Sequence, residues 1–305
     1  MFSFSPHQKD ILSAWWQASR PPFYIATLVP LCLGWVAAGK DTGNWHPWLF
    51  ALILLCCFFL HLAANLANDF FDHLQGVDGG ENIGGSRAIQ EGKIALSSYV
   101  KALFFLYGAS LVMAGVGVLY TGHTGIWGII LFAVFSSLFY VAPPVKYGHR
   151  AMGELFVFLS MGLVMTAGTY YTLTGMWKAT VMALSVPVGL MVAGILYYQS
   201  LPEIETDKAV GKHTLANVLG PRRAVLLFKV WWPAVWFLLI LLLLGGLCSW
   251  PVLVGIALSL PLFRKTVGYL DNVGGDWLSL DAHGHLIRKM YLACGVSLVL
   301  AVAFR

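Results

Sequence analysis

The sequence predicts an all-α, polytopic membrane protein of about nine transmembrane helices, and three observations carry that prediction. The 305 residues are 58% hydrophobic and only 11% charged, with a mean hydropathy of +0.74. A soluble domain of this length has no need of so much apolar surface. Apolar runs recur along the chain, most of them near the ~20 residues that cross a bilayer as a helix. With the N-terminus placed in the cytoplasm, all of the 19 Lys and Arg except Lys40, Lys178 and Arg305 fall on the cytoplasmic side. That is the positive-inside pattern.

The first ten residues are polar and no short apolar stretch leads to a cleavage site, so no signal peptide is expected. Residues 8–20, with Ile11, Leu12, Trp15 and Trp16, read as an amphipathic helix on the membrane surface. This makes 1–21 an interfacial segment of one domain, 1–305. Spans are expected at 23–38, 48–68, 100–120, 124–142, 153–173, 179–201, 224–244, 250–263 and 286–304, the eighth being short. Every Asp and Glu except Asp41 lies on the cytoplasmic side as well, which the positive-inside rule does not require. A polar site facing the cytoplasm from the inner membrane is therefore expected. The net charge of +5 reports topology rather than a nucleic-acid partner. Cys32, Cys56, Cys57, Cys248 and Cys294 sit in apolar runs without metal or redox spacing and read as buried small hydrophobes.

Two stretches carry the chemistry. The first is Asn65-Leu66-Ala67-Asn68-Asp69-Phe70-Phe71-Asp72, running on to Gly76-Val77-Asp78, directly after an apolar run. On a continuing helix Asn65, Asp69 and Asp72 share one face, and Asn68 and Asp72 are neighbours. Carboxylates at the end of a lipid-embedded helix mark a wet cavity, a metal or a charged substrate. A glycine-dense loop with Arg87 follows, and such loops and Arg both suit phosphate. After the fourth span Pro143 and Pro144 break the helix and present Lys146, Tyr147 and Arg150. Arg20 stands before the first span, where it reaches an anion in the site or anchors the helix in headgroups. The second stretch is Gln199-Ser200-Leu201-Pro202-Glu203-Ile204-Glu205-Thr206-Asp207, followed by Gly211-Lys212-His213-Thr214-Leu215. Glu203 and Asp207 are again four apart. Facing carboxylates hold hard divalent cations, and Mg²⁺ completes its octahedron with substrate phosphate and water. The loop at 264–288, with His283 and His285, is expected to be solvated.

The pairing of these motifs resembles the UbiA superfamily of intramembrane prenyltransferases, whose signatures are Asn-Asp-x-x-Asp and Asp-x-x-x-Asp with a following Gly-Lys/Arg-x-Thr-Leu. Within it the chain looks most like the 1,4-dihydroxy-2-naphthoate polyprenyltransferase branch of menaquinone synthesis. It departs at Glu203, where Asp is usual, and at 199–202, where those enzymes often carry Asn-Asn-x-Arg. The resemblance implies helices ringed around a central cavity open to lipid, and Mg²⁺-dependent transfer from a polyprenyl diphosphate to a small aromatic acceptor. It implies Asn68, Asp69, Asp72, Glu203 and Asp207 as metal ligands, with Asp69, Asp72 and Asp207 catalytic. Arg87, Lys146, Lys212, Asn65 and Asp78 would bind diphosphate. Arg20, Tyr140, Tyr147 and Gln199 would line the acceptor and prenyl pocket. The acceptor stays open between dihydroxynaphthoate and others such as 4-hydroxybenzoate. A cation transporter using the acidic helix ends is the alternative from another class.

Overall fold

The computed structural model describes residues 6–77 and 85–305, and every regular element among them is helical apart from one isolated bridge. Helix α1 (Pro6–Ser19) leads through a short turn at Pro21–Phe23 into α2 (Ile25–Thr42). Two prolines cannot continue α1's hydrogen bonding, Arg20 takes a left-handed φ of 52°, and the chain bends by 52°. Helix α3 (Pro47–Leu74) has 28 residues. At 1.5 Å per residue it is about 42 Å long against a hydrocarbon core of ~30 Å. Its first turns are apolar, so the end that emerges is the one bearing Asn65 to Asp72.

Helices α4 (Leu96–Thr121), α5 (Ile126–Phe139), α6 (Gly153–Thr174) and α7 (Ala179–Gln199) follow. Two short helices, α8 (Ile204–Ala209) and α9 (Leu215–Leu219), carry the second motif and its basic tail. The chain ends with α10 (Pro221–Leu244), α11 (Pro251–Asp271) and α12 (Gly284–Ala303). Each expected span falls on a helix. Among the described residues, however, seven helices are long and apolar enough to cross a bilayer, or eight if the bent α1–α2 pair is one span. Helix α5, with 14 residues, is about 21 Å long and shorter than the core, so a count of nine is approximate. The eighth span, expected short, is a full 21 residues. The 264–288 stretch is mostly helical: α11 runs to Asp271, a tight helix covers Trp277–His283, and His283 stacks on Tyr269 at 3.6 Å.

The largest core joins α2, α6, α7, α10, α11 and α12, with Trp232, Tyr197, Tyr198 and Tyr291 fully buried in it. A second core packs α1 onto α3 and α4 through Ala14, Ala18, Ala63 and Tyr99. A third joins α3, α4 and α5. Glycines allow several close helix approaches, two of which illustrate the point. A Cβ on Gly162, within a π-helical stretch of α6, would lie 2.3 Å from Gly189 Cα on α7. One on Gly255 of α11 would lie 2.7 Å from the Ala293 carbonyl of α12. The cysteines are free, Cys248 and Cys294 buried and the others half-buried.

Candidate active site

The first motif lies in the last turns of α3, and its side chains point to different partners because a helix turns 100° per residue. Asp69 is buried at 3% exposure. Its Oδ1 receives Arg20 Nη2 at 2.7 Å and the Ser86 backbone N–H at 3.2 Å, and its Oδ2 the Tyr99 hydroxyl at 3.4 Å. Three separate segments meet on this carboxylate. Asn65, one turn earlier, donates to the Ser19 carbonyl at 3.1 Å and so holds the end of α1. Arg20 thus reaches an anion, and that anion is the protein's own.

Asp72 is equally buried and pairs with His149 Nε2 at 3.1 Å. His149 belongs to the loop opened by the cis Pro143–Pro144 bond. That loop is fixed at both ends: Gln75 donates to Val141 O at 3.1 Å, and residues 149–151 bridge to His213. Ala151 N–H donates to His213 O at 2.7 Å and His213 N–H to His149 O at 3.2 Å. The backbone therefore carries the second motif's tail to the residue that holds the first motif's Asp72.

The second motif does not continue α7. That helix stops at Gln199, the chain turns through 200–203, and α8 begins at Ile204. The spacing survives, since Asp207 N–H donates to Glu203 O at 2.8 Å. Asp207 is fully buried. Lys212 Nζ stands 3.1 Å from its Oδ1 and 3.8 Å from Glu203 Oε2, yet neither Asp207 oxygen accepts a well-aligned hydrogen bond. Thr214 caps α9 reciprocally with Asn217, whose amide also holds the Lys212 carbonyl at 2.7 Å. Lys212 is thereby aimed back at the acids. Burial pushes the Glu203 carboxyl up to about 7 against the pull of Lys212, with Asp207 and Asp72 adding to the rise. Burial raises Asp207 too. Burial also opposes charge on Lys212, but Asp207, Glu203 and Asp72 outweigh it and raise the amine.

A cavity of about 280 Å³ opens among α2 to α7, lined almost wholly by their apolar groups, with α10–α12 packed behind. Arg20, Asn65, Asn68 and Gln199 line it, as do the rings of Tyr140 and Tyr147. The Tyr147 hydroxyl is spent on the Ser136 carbonyl and its ring stacks on Phe156 at 4.1 Å, so it offers the cavity a ring rather than a donor. A second, polar hollow of about 330 Å³ lies between Lys146, His149, Arg150 and His213. Arg87 is exposed, with φ 58°, and Asp78 lies outside the described residues.

Among the described residues no three carboxylate, His or Cys groups stand close enough to enclose a metal by themselves. The donor set nevertheless fits Mg²⁺, which takes few protein carboxylates when phosphate supplies the rest. Asp207's buried, unbonded oxygens are what such an ion would satisfy. Repulsion from Asp72 adds to the rise of both Glu203 and Asp207, so the acids of the two motifs act on one another's surroundings. The sequence reading passed over His149, Ser86 and Tyr99. His149 lies between Tyr147 and Arg150 in the loop after Pro144, but its 77-residue separation from Asp72 leaves no local signal.

A sequence profile described as the UbiA prenyltransferase family matches residues 27–277. A Haemophilus influenzae protein named 1,4-dihydroxy-2-naphthoate octaprenyltransferase is 29% identical over 220 residues, covering 68% of this chain and 70% of its own length. A Bacillus subtilis protein of the same name is 26% identical over 271 residues, covering 88% of this chain and 86% of its own. A solved UbiA homolog from Archaeoglobus fulgidus, bound to GPP and Mg²⁺, superposes with a TM-score of 0.60 at 19% identity over 94% of this chain and 99% of its own. That last likeness concerns the fold.

Proposed function

We propose, since the chain belongs to the UbiA prenyltransferase family, that this membrane prenyltransferase moves a polyprenyl group from its diphosphate to 1,4-dihydroxy-2-naphthoate. The observation that carries the reading is the apolar cavity lined at its polar end by Asn68 and Gln199, with Asn68 one helical turn before the buried Asp72 and Gln199 four residues before Glu203. A hydrocarbon tail suits the cavity, and a diphosphate suits the acids only together with a divalent cation. The naphthoate acceptor rests on the names of the two relatives, and Mg²⁺ on the donor set and on the ion held by the archaeal homolog.

Asn68, Asp69, Asp72, Glu203 and Asp207 would hold the metal. Bound with the diphosphate, it would supply positive charge to the leaving oxygens. Lys212, on a capped and buried tail, neutralises charge that develops as the C1–O bond breaks and its electron pair leaves with diphosphate. Lys146 and Arg87 contribute longer-range attraction, Asn65 holds the end of α1, and Asp78 adds a further acid. The Tyr140 and Tyr147 rings and the aliphatic wall keep water from the allylic cation until the acceptor's ring carbon bonds to C1 and gives up its proton. Arg20 and Gln199 stand where the acceptor would enter. Lys and Arg asymmetry supports a cytoplasmic N-terminus with this site on the same face. Cation transport has no comparable support, because the cavity lining from α2 to α7 contains no carboxylate.

The test is a prenyl-transfer assay on purified protein in lipid, with Mg²⁺ or EDTA, and dihydroxynaphthoate and 4-hydroxybenzoate in parallel. Mg²⁺-dependent prenylation of the naphthoate is expected. Transfer to the benzoate alone would move the acceptor, and no transfer with no pyrophosphate release would overturn the reading.

A further inference from the structure

One polar side chain deeper in the cavity has no part in the scheme above. On α3 the cavity meets His61, Asn65 and Asn68, spaced i, i+4, i+7 along one face, so His61 lies about 10 Å along the axis from Asn68. The cavity wall as a whole is chiefly apolar, Leu60, Ile53 and Ala26 included, and the Arg20 charge acts on the His61 ring. The ring is held from two sides. Tyr24 packs edge-on at 5.9 Å, and Thr27 Oγ1, fully buried on α2, lies 2.5 Å from Nδ1. Among the described residues this is the sole hydrogen-bond partner of the Thr27 hydroxyl, whose proton must go somewhere. In the neutral ring Thr27 therefore donates to Nδ1, and the ring proton sits on Nε2.

We infer that His61, oriented by Thr27, is a positioning residue for the acceptor, its Nε2–H donating to an oxygen substituent of the aromatic ring. The inference rests on the prenyl-transfer reading and deepens it. Of the two substrates, the donor's tail is hydrocarbon and offers an N–H nothing, whereas its diphosphate belongs with the acids some two turns away. The acceptor alone brings oxygen into this part of the cavity. A donor fixed by a second hydrogen bond loses little freedom on binding, so it selects one ring orientation and presents one carbon to C1. The oxygen is either the ring hydroxyl or the carboxylate, and both accept the same bond.

The experiment compares His61→Leu, His61→Gln and Thr27→Val with the unaltered enzyme in bilayers. KM is measured separately for polyprenyl diphosphate and dihydroxynaphthoate, with inhibition by 1,4-naphthalenediol as a probe lacking the carboxylate. His61→Leu is expected to raise the acceptor KM about ten- to a hundred-fold, the loss of one hydrogen bond to a polar ligand, and to leave the donor KM unchanged. His61→Gln, which keeps a donor, should recover most of that, and Thr27→Val should fall between. A penalty on both ligands assigns the hydroxyl; a penalty on the naphthoate alone assigns the carboxylate. An unchanged acceptor KM in His61→Leu, an equal rise in both KM values, or no rescue by Gln would overturn the inference. An unaltered enzyme that prenylates no aromatic acceptor would instead sink the functional reading itself.

Discussion

The two acidic motifs look interchangeable as strings, yet the fold treats them in opposite ways. Asp69 and Asp72, on a long helix, are met by partners from the chain itself: Arg20, Ser86 and Tyr99 for the one, His149 for the other. Asp207, on the short helix α8, is more deeply buried and has less: an off-axis ammonium and no aligned hydrogen bond. The first motif is an organised platform whose charge is already compensated. The second crowds two buried acids, Glu203 and Asp207, around one ammonium, a surplus of acid that a divalent cation would relieve. Burying more acid than base is costly, and clusters perturbed in this way concentrate at functional sites.

The contrast can be broken most completely by removing the cation. EDTA should abolish turnover and Mg²⁺ restore it, as followed by pyrophosphate release; undiminished activity in EDTA would remove the reason for the second motif's design. Next comes Asp207→Asn, expected to lower kcat by about a thousand-fold, the scale of lost electrostatic stabilisation at a leaving group. Its thermal unfolding in detergent should stay near that of the native chain. Asp69→Asn should do the reverse on stability, costing about 1.5–3 kcal/mol through the weakened, charge-assisted bonds to Arg20. If both variants melt alike, the distinction between platform and site fails. His149→Phe, which frees Asp72, should cost about ten- to a hundred-fold in activity or metal affinity, as lost outer partners of ligands do. Smallest of all, Tyr99→Phe removes a long 3.4 Å contact and should change activity less than about three-fold.

What could be read in advance follows the range of the forces involved. The spans were legible because bilayer thickness imposes a length on apolar runs, and α3, α4, α7 and α10 lie close to where the runs place them. The acids were legible because four-residue spacing is a local property. Glu203 and Asp207 keep that spacing although the helix bearing them is not the end of α7. The partners were not legible. Tyr99 to Asp69 and His149 to Asp72 join residues 30 and 77 apart, and no pattern within one helix announces either. The weakness of α5 as a span was missed for another reason: hydropathy extends over 124–142, but the helix itself starts at Ile126 and stops at Phe139.

The bridge between residues 149–151 and His213 joins the two motifs mechanically. Two backbone hydrogen bonds there tie the loop that grips Asp72 to the tail that aims Lys212. A pull on Lys212 is transmitted through covalent chain and amide bonds, not through soft side chains, to His149. The segment that holds Asp72 and the segment that aims Lys212 are thus joined main chain to main chain, and a displacement of either is felt directly by the other.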